Sequence, residues 1–329
     1  MGFDRIVSQE KAIKLLKGTL STKKIPHALL FLGDAHIGKT TTALAYAKAL
    51  NCLEPKDHDS CDRCSSCKKI EQGVHPDVKI ITPEKDLITI NMIREVEEFA
   101  SLTPLEGKYK VIIIKKSHKM NNAAANAFLK TVEEPPLNTT IILTCENIYA
   151  LPEPLISRFF KVYFNPLSVD AIKKIMPGIE ENLLRIVMGK PGLFISRDLM
   201  KDIQWFANTL KNIMEKSKKS PWKDNEEIKW WLDFLCIFLR DSLVKITGKV
   251  SSDCCPILPL DFKLKENISE LEIFNLYEEL QSIKRNIELN LNKSILWNYL
   301  VSCLNRLIES SNIENRKPFN TQYSKENLE

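Results

Sequence analysis

Residues 33–40 read Gly33-Asp34-Ala35-His36-Ile37-Gly38-Lys39-Thr40, a G-x-x-x-x-G-K-[ST] loop between an apolar run and a helical pattern. This motif tightly constrains the local fold, because it works only as strand, phosphate-binding loop and helix in that order. Two glycines let backbone N–H groups close around phosphates with no Cβ in the way. Lys39 is placed to reach the β- and γ-phosphates and Thr40 to hold magnesium. The helix that follows turns its positive amino terminus towards the same anion. Gly33, Gly38, Lys39, Thr40 and Thr41 are the predicted nucleotide-binding residues, for ATP or ADP with Mg²⁺.

A hydrolysing site of this kind also needs an acid at the end of a neighbouring strand, to hold the metal and orient water. The strand-like run Val111-Ile112-Ile113-Ile114 ends instead in Lys115-Lys116. Ammonium groups repel a metal ion, although Lys116 is placed to contact phosphate. Glu133-Glu134 is an alternative source of carboxylate, but it sits beside Pro135 and reads better as the end of a helix. The chain therefore reads as a nucleotide binder that does not cleave.

Around this loop, the first 165 residues alternate β-like runs with helical patterns, the signature of a parallel sheet with crossover helices. Strands are expected at 27–32, 77–81, 110–114, 140–143 and 160–164, and helices at 39–50, 89–100 and 122–133. The last of these stops at Pro135-Pro136, where the ring removes a donor and clashes with the preceding turn. Pro166 marks a boundary. Residues 166–201 read as a small helical unit, and helices are expected at 202–214, 226–244, 270–289 and 293–308. Trp230, Trp231, Phe234, Leu235 and Phe238 recur at helical spacing and read as core. A polar loop with Cys254-Cys255-Pro256 interrupts the helices. The polar tail at 311–329 reads as disordered.

Cys52, Cys61, Cys64 and Cys67 are spaced C-x8-C-x2-C-x2-C. Four thiolates so close together suit one tetrahedral Zn²⁺, and a four-cysteine site is closed, hence structural. The nine cysteines are an odd number and lack a secretory context, which points to a reducing, cytoplasmic compartment. No stretch approaches the roughly 18 uninterrupted apolar residues of a membrane span. The formal net charge of +5 permits nucleic-acid contact without demanding it. The basic run Lys216-Ser217-Lys218-Lys219 reads as solvated loop.

These residues together resemble the clamp-loader subunits of bacterial DNA polymerase III, the delta-prime type in particular. Phe3, Ile6, Val7 and Gln9 resemble the opening segment of that family. His27-Ala28-Leu29-Leu30-Phe31 leads into the P-loop as it does there, and the cysteines sit where the family carries its zinc module. His75-Pro76-Asp77 precedes the second strand. The run from Asn126 through Phe128-Leu129-Lys130-Thr131-Val132-Glu133-Glu134 to Pro136 resembles the family's most recognisable segment. Leu155-Ile156-Ser157-Arg158-Phe159 stands where the family carries Ser-Arg-Cys, with phenylalanine replacing the cysteine.

The resemblance implies an α/β P-loop (AAA+) domain over 1–165 with a parallel sheet and the inserted zinc module. A small helical lid domain (166–201) and an all-α collar domain (202–310) would follow, the segment Arg285 to Asn292 resembling the end of the collar. It implies that Arg158 acts as an arginine finger in trans, at the ATP site of a neighbouring subunit. It implies partners, namely gamma/tau and delta subunits in a heteropentameric ring, and through that complex the sliding clamp and primer-template DNA. The chain would then be a part of a DNA-directed DNA polymerase holoenzyme. Three departures favour the delta-prime type over the gamma/tau motor. Lys115 and Lys116 replace the acid pair, Gly189-Lys190-Pro191-Gly192 lacks the arginine of the second sensor, and Cys145-Glu146 falls near the first sensor. An active gamma/tau-type ATPase is the alternative. A zinc-dependent nucleic-acid module with a vestigial P-loop is a third reading, but no aromatic and basic stripe lies beside the cysteines.

Overall fold

A computed structural model describes residues 2–179, 181–214, 221–247, 265, 268–287 and 292–308. The chain divides into two compact units. The first runs over 1–178 and 188–192, the second over 179–187 and 193–329, as far as each is described.

The first unit is built on a five-stranded parallel sheet. In chain order its elements are α1 (Glu10–Ser21), β1 (Ala28–Leu32), α2 (Lys39–Asn51), α3 (Ser65–Glu71), β2 (Val78–Ile81), α4 (Ile90–Ser101), β3 (Lys110–Ile114), α5 (Asn122–Glu133), β4 (Thr139–Cys145), α6 (Glu153–Ile156), β5 (Phe160–Tyr163) and α7 (Val169–Ile175). The spatial order is β2-β3-β4-β1-β5. β1, β3 and β4 are buried on both faces, which is why β1 and the centres of β3 and β4 read as apolar runs. β5 is an edge strand, and of its four residues Val162 alone is buried.

The even-numbered side chains of β1 and β3 (Leu30, Leu32, Ile112, Ile114) join Ile141 and Leu143 of β4 on one face. There they meet Ile93 and Val96 of α4 and Phe128 and Val132 of α5. Each such side chain removed from water contributes about 1.5–3 kcal/mol. α5 begins where the Asn121 side chain accepts the Ala124 N–H, and it ends before the two prolines.

In the second unit, α8 (Glu181–Ile186), α9 (Gly192–Ser196), α10 (Leu199–Met214), α11 (Asn225–Thr247), α12 (Glu270–Asn286) and α13 (Lys293–Leu307) follow, with the opening residue of α9 counted in the first unit. The four longest match the helices expected from periodicity. Trp231, Phe234, Leu235 and Phe238 are buried, as is Trp230. Trp231 packs edge-on to Trp222 at 5.6 Å, which meets Trp297 at 5.2 Å. Asp202 accepts the Trp230 indole N–H at 2.8 Å, and the Arg197 guanidinium stacks over the same ring. Ser269 and Glu272 form a capping box that starts α12. No helix among the described residues is long and apolar enough to cross a membrane. Cys254-Cys255-Pro256, the 216–219 lysine run, residues 288–291 of the collar-like segment and the 311–329 tail lie outside the described residues.

Candidate nucleotide and metal sites

The loop at 33–38 leaves the carboxyl end of β1, where Gly33 donates its N–H to Cys145 O at 3.2 Å. Gly33 has φ +146°, and a Cβ there would lie 2.5 Å from Phe164 O, so no other residue fits. Gly38 is left-handed at φ 96° and starts α2 directly at Lys39. All five predicted nucleotide residues therefore fall on one loop and one helical turn. Lys39 is buried, and its ammonium donates to Gly33 O at 2.7 Å and to Asp34 O. Burial lowers its pKa, against the raising influence of Glu146 and Asp34.

Two segments close around this loop. Gln9, from the start of the chain, donates to Asn165 O at 2.8 Å and to Ile37 O at 3.5 Å. Gly192 donates to His36 O at 3.1 Å, and Lys190 pairs with Asp34 at 3.3 Å. The stretch 189–192 thus reaches the loop, and it brings a lysine there. Sequence reasoning registered the missing arginine in this stretch and gave Lys190 no role, since nothing local links positions 34 and 190.

β3 ends at Ile114, and its two following lysines sit at the same carboxyl edge of the sheet as the P-loop. Lys115 donates its N–H to Ile81 O at 2.9 Å. Lys116 takes a left-handed conformation, and its N–H is held by Thr144 Oγ1 at 3.1 Å. Ser117 donates to Thr144 O, and the Glu146 N–H meets His118 Nδ1 at 3.4 Å, so the ends of β3 and β4 are tied together. His36 is pushed below its ordinary pKa by burial first. Glu146 opposes this, while Lys116, Lys190 and Lys39 reinforce it.

Magnesium wants oxygen ligands. Thr40 offers a hydroxyl, but the acid positions hold two ammonium groups, so the residues present do not fit that ion. The loop and Lys39 do fit a polyphosphate. Glu133 is not a substitute acid. It closes α5 at the amino edge of the sheet, in an ion pair with Arg158 at 2.5 Å.

Arg158 precedes β5, and its second nitrogen donates to Pro154 O at 2.5 Å. β5 runs parallel to β1, so Arg158 lies at the amino ends of strands whose carboxyl ends carry the P-loop. A five-residue strand spans roughly 17 Å, so Arg158 is far from its own loop. Phe159, at the position of the expected cysteine, is buried and packs in the sheet core with Leu155.

The sulfurs of Cys52, Cys61, Cys64 and Cys67 lie within 4.8 Å of one another, and none is in a disulfide. Each two-residue gap folds back so that a backbone N–H faces a sulfur, Cys64 N to Cys61 Sγ at 3.4 Å and Cys67 N to Cys64 Sγ at 3.5 Å, and across the eight-residue gap Cys61 N faces Cys52 Sγ at 3.3 Å. Burial raises the Cys61 thiol, but N–H groups of Arg63 and Cys64 outweigh it and bring it down to about 6. The donor set fits one metal ion with tetrahedral preference.

Three interactions anchor this module. Lys48 of α2 is buried between Asp62 at 2.9 Å and Glu71 at 2.8 Å. Asp59 accepts the Phe3 N–H at 3.0 Å. Ser66 meets His75 Nε2 at 3.2 Å.

Residues 8–168 match the family described as DNA polymerase III, delta subunit. The chain is 36% identical over 165 residues to DNA polymerase III subunit delta′ of Bacillus subtilis, covering 50% of each protein. It is 35% identical over 170 residues to subunit tau of the same organism, covering 52% of this chain and 30% of tau. It is 31% identical over 206 residues to subunit gamma of Buchnera aphidicola subsp. Schizaphis graminum, covering 63% and 54%. The chain thus spans about half or less of the length of these relatives. A gamma subunit-related protein from Thermotoga maritima superimposes with a TM-score of 0.47 at 20% identity, over 88% of this chain and 98% of that one. Residues 8–168 are thus similar to the clamp-loader subunits of DNA polymerase III.

Proposed function

We propose that this chain is a delta-prime-type subunit of the replicative DNA polymerase III clamp loader. It holds ATP or ADP at the P-loop without hydrolysing it, and it lends Arg158 to the ATP site of a neighbouring subunit. The observation that carries this reading is the pair of ammonium groups, Lys115 and Lys116, at the end of β3 beside an intact P-loop. The position of Arg158 at the sheet edge away from its own loop supports a role in trans.

On this reading Cys52, Cys61, Cys64 and Cys67 hold a structural Zn²⁺. Residues 166–201 form the lid and 202–310 the collar, through which gamma/tau and delta subunits assemble a heteropentameric ring in the cytoplasm. The ring, not this chain alone, loads the sliding clamp onto primer-template DNA.

Identity does not separate delta′ from tau, at 36% and 35%, and an active gamma/tau-type ATPase is the second reading. Steady-state ATP hydrolysis by the purified chain with magnesium and primed DNA separates the two. The expected result is no turnover. Turnover abolished by Lys39→Ala would move the chain to the motor class.

A further inference from the structure

The charges around the P-loop do not match a site that takes its nucleotide with a metal. Lys39, Lys116 and Lys190 supply three ammonium groups. Asp34 and Glu146 are the carboxylates whose charges act on Lys39. Asp34 is already matched by Lys190 at 3.3 Å. That leaves two ammonium groups, Lys39 and Lys116, against the single carboxylate of Glu146, a cationic surplus before the helix is counted. The amino end of α2 adds about half an elementary charge to it.

Lys116 is fixed in place by its own backbone. Its left-handed conformation and its N–H bond to Thr144 hold it at the carboxyl edge of the sheet, two strands from β1. It is exposed and forms no ion pair among the described residues. Parallel pairing of β3 with β4 and β4 with β1 puts the ends of all three strands at one edge. Residue 116 therefore sits at the edge where a site of this type ordinarily keeps its metal and acids, and its charge acts on His36 of the loop. Lys39 meanwhile rests on the loop's own carbonyls, a placement it exchanges for phosphate oxygens when an anion enters.

The geometry points to a P-loop that takes a nucleoside polyphosphate as the free anion, with Lys116 neutralising the charge that a divalent cation neutralises elsewhere. This rests on the reading that the loop retains nucleotide, and it names the ionic form of the ligand. No bond is made or broken. A free polyphosphate keeps the charge that magnesium would mask, so added magnesium competes with the protein for the ligand.

Binding of a fluorescent ATP analogue to the full chain, in EDTA and in magnesium, tests this. Binding in EDTA as tight as in magnesium, or tighter, is expected, together with displacement by inorganic tripolyphosphate. Lys116→Ala should weaken binding in EDTA by about tenfold, and Lys116→Arg should restore it. The double variant Lys115→Asp, Lys116→Glu should bind only when magnesium is added. Binding of the wild type that requires magnesium overturns the proposal, as does Lys116→Ala binding like the wild type. No binding in either condition also overturns it, while leaving the role of Arg158 in the assembled complex to its own test.

Discussion

His75 is held in the fold as a neutral ring. Its Nδ1 accepts the Asp77 N–H at 3.1 Å, so that nitrogen must carry no proton, and Nε2 faces the Ser66 hydroxyl. Burial lowers its pKa below 6.5, against the raising influence of Asp77 and Glu106. The unfolded chain therefore takes up the proton first as pH falls. The contribution of His75 is complete above 6.5 and fades as pH drops through the lowered folded value. Melting temperature should decline from pH 7 towards pH 5, and His75→Gln should flatten that slope. An unchanged slope would remove His75 as its source.

Its neighbour Asp77 accepts N–H groups from Leu105, Glu106 and Gly107 at 2.7–2.8 Å and lies 3.6 Å from the buried Lys110 ammonium. That ammonium also sits 4.0 Å over the Phe99 ring. Asp77→Asn would turn an amide donor towards these N–H groups and leave Lys110 without its counter-charge. A loss of about 3–5 kcal/mol is expected in denaturant unfolding, partly recovered by adding Lys110→Met. A loss under about 1 kcal/mol would show that the pair is not structural.

At the scale of elements, the cysteine module folds around its sulfurs more than around a core. α3 is a seven-residue helix whose N-cap is Cys64, and the turn before it is shaped by N–H groups facing sulfur. A helix this short is marginal without outside support. Stripping the metal should therefore raise hydrogen exchange in α3 and in residues 52–64, while β1, β3 and β4 stay protected. One zinc per chain is expected by elemental analysis, and Cys64→Ser should lose it. Equal loss of protection across the sheet would place the metal in the main folding unit instead.

The same scale shows what local sequence could carry. β1, β3 and β4 were legible because both faces are buried, so their central residues are apolar. α5 was legible from its helical pattern and the two prolines. α3 was not, since seven residues held by thiols carry no helical period. Among the site residues, the P-loop and the cysteines are contiguous patterns and could be read directly. Lys190 against Asp34 and Gln9 against Asn165 are closures across some 156 residues each, and only tertiary structure brings them to the loop. The ion pair of Arg158 with Glu133 was hidden for the same reason.

For the whole molecule, the direction of the sheet keeps Arg158 away from its own P-loop. A parallel sheet has two unlike edges, and this chain puts its anion loop on one and its exposed arginine on the other. One chain cannot use both at a single site, but chains arranged in a ring can, each offering its arginine to the next chain's loop. The present pair with Glu133 is no obstacle, because a half-exposed ion pair contributes only about 0–1 kcal/mol. Arg158→Ala should accordingly leave the melting temperature and co-elution with gamma-type and delta subunits unchanged. Single-turnover hydrolysis at the neighbouring site should fall by about 10³-fold or more. Arg158→Lys should not rescue it, since an ammonium lacks the planar fork that grips two phosphate oxygens. Glu133→Ala, which only frees the arginine, should leave turnover at least at the wild-type level. Normal turnover in a fully assembled Arg158→Ala complex would strip this residue of its catalytic role and leave the chain a scaffold.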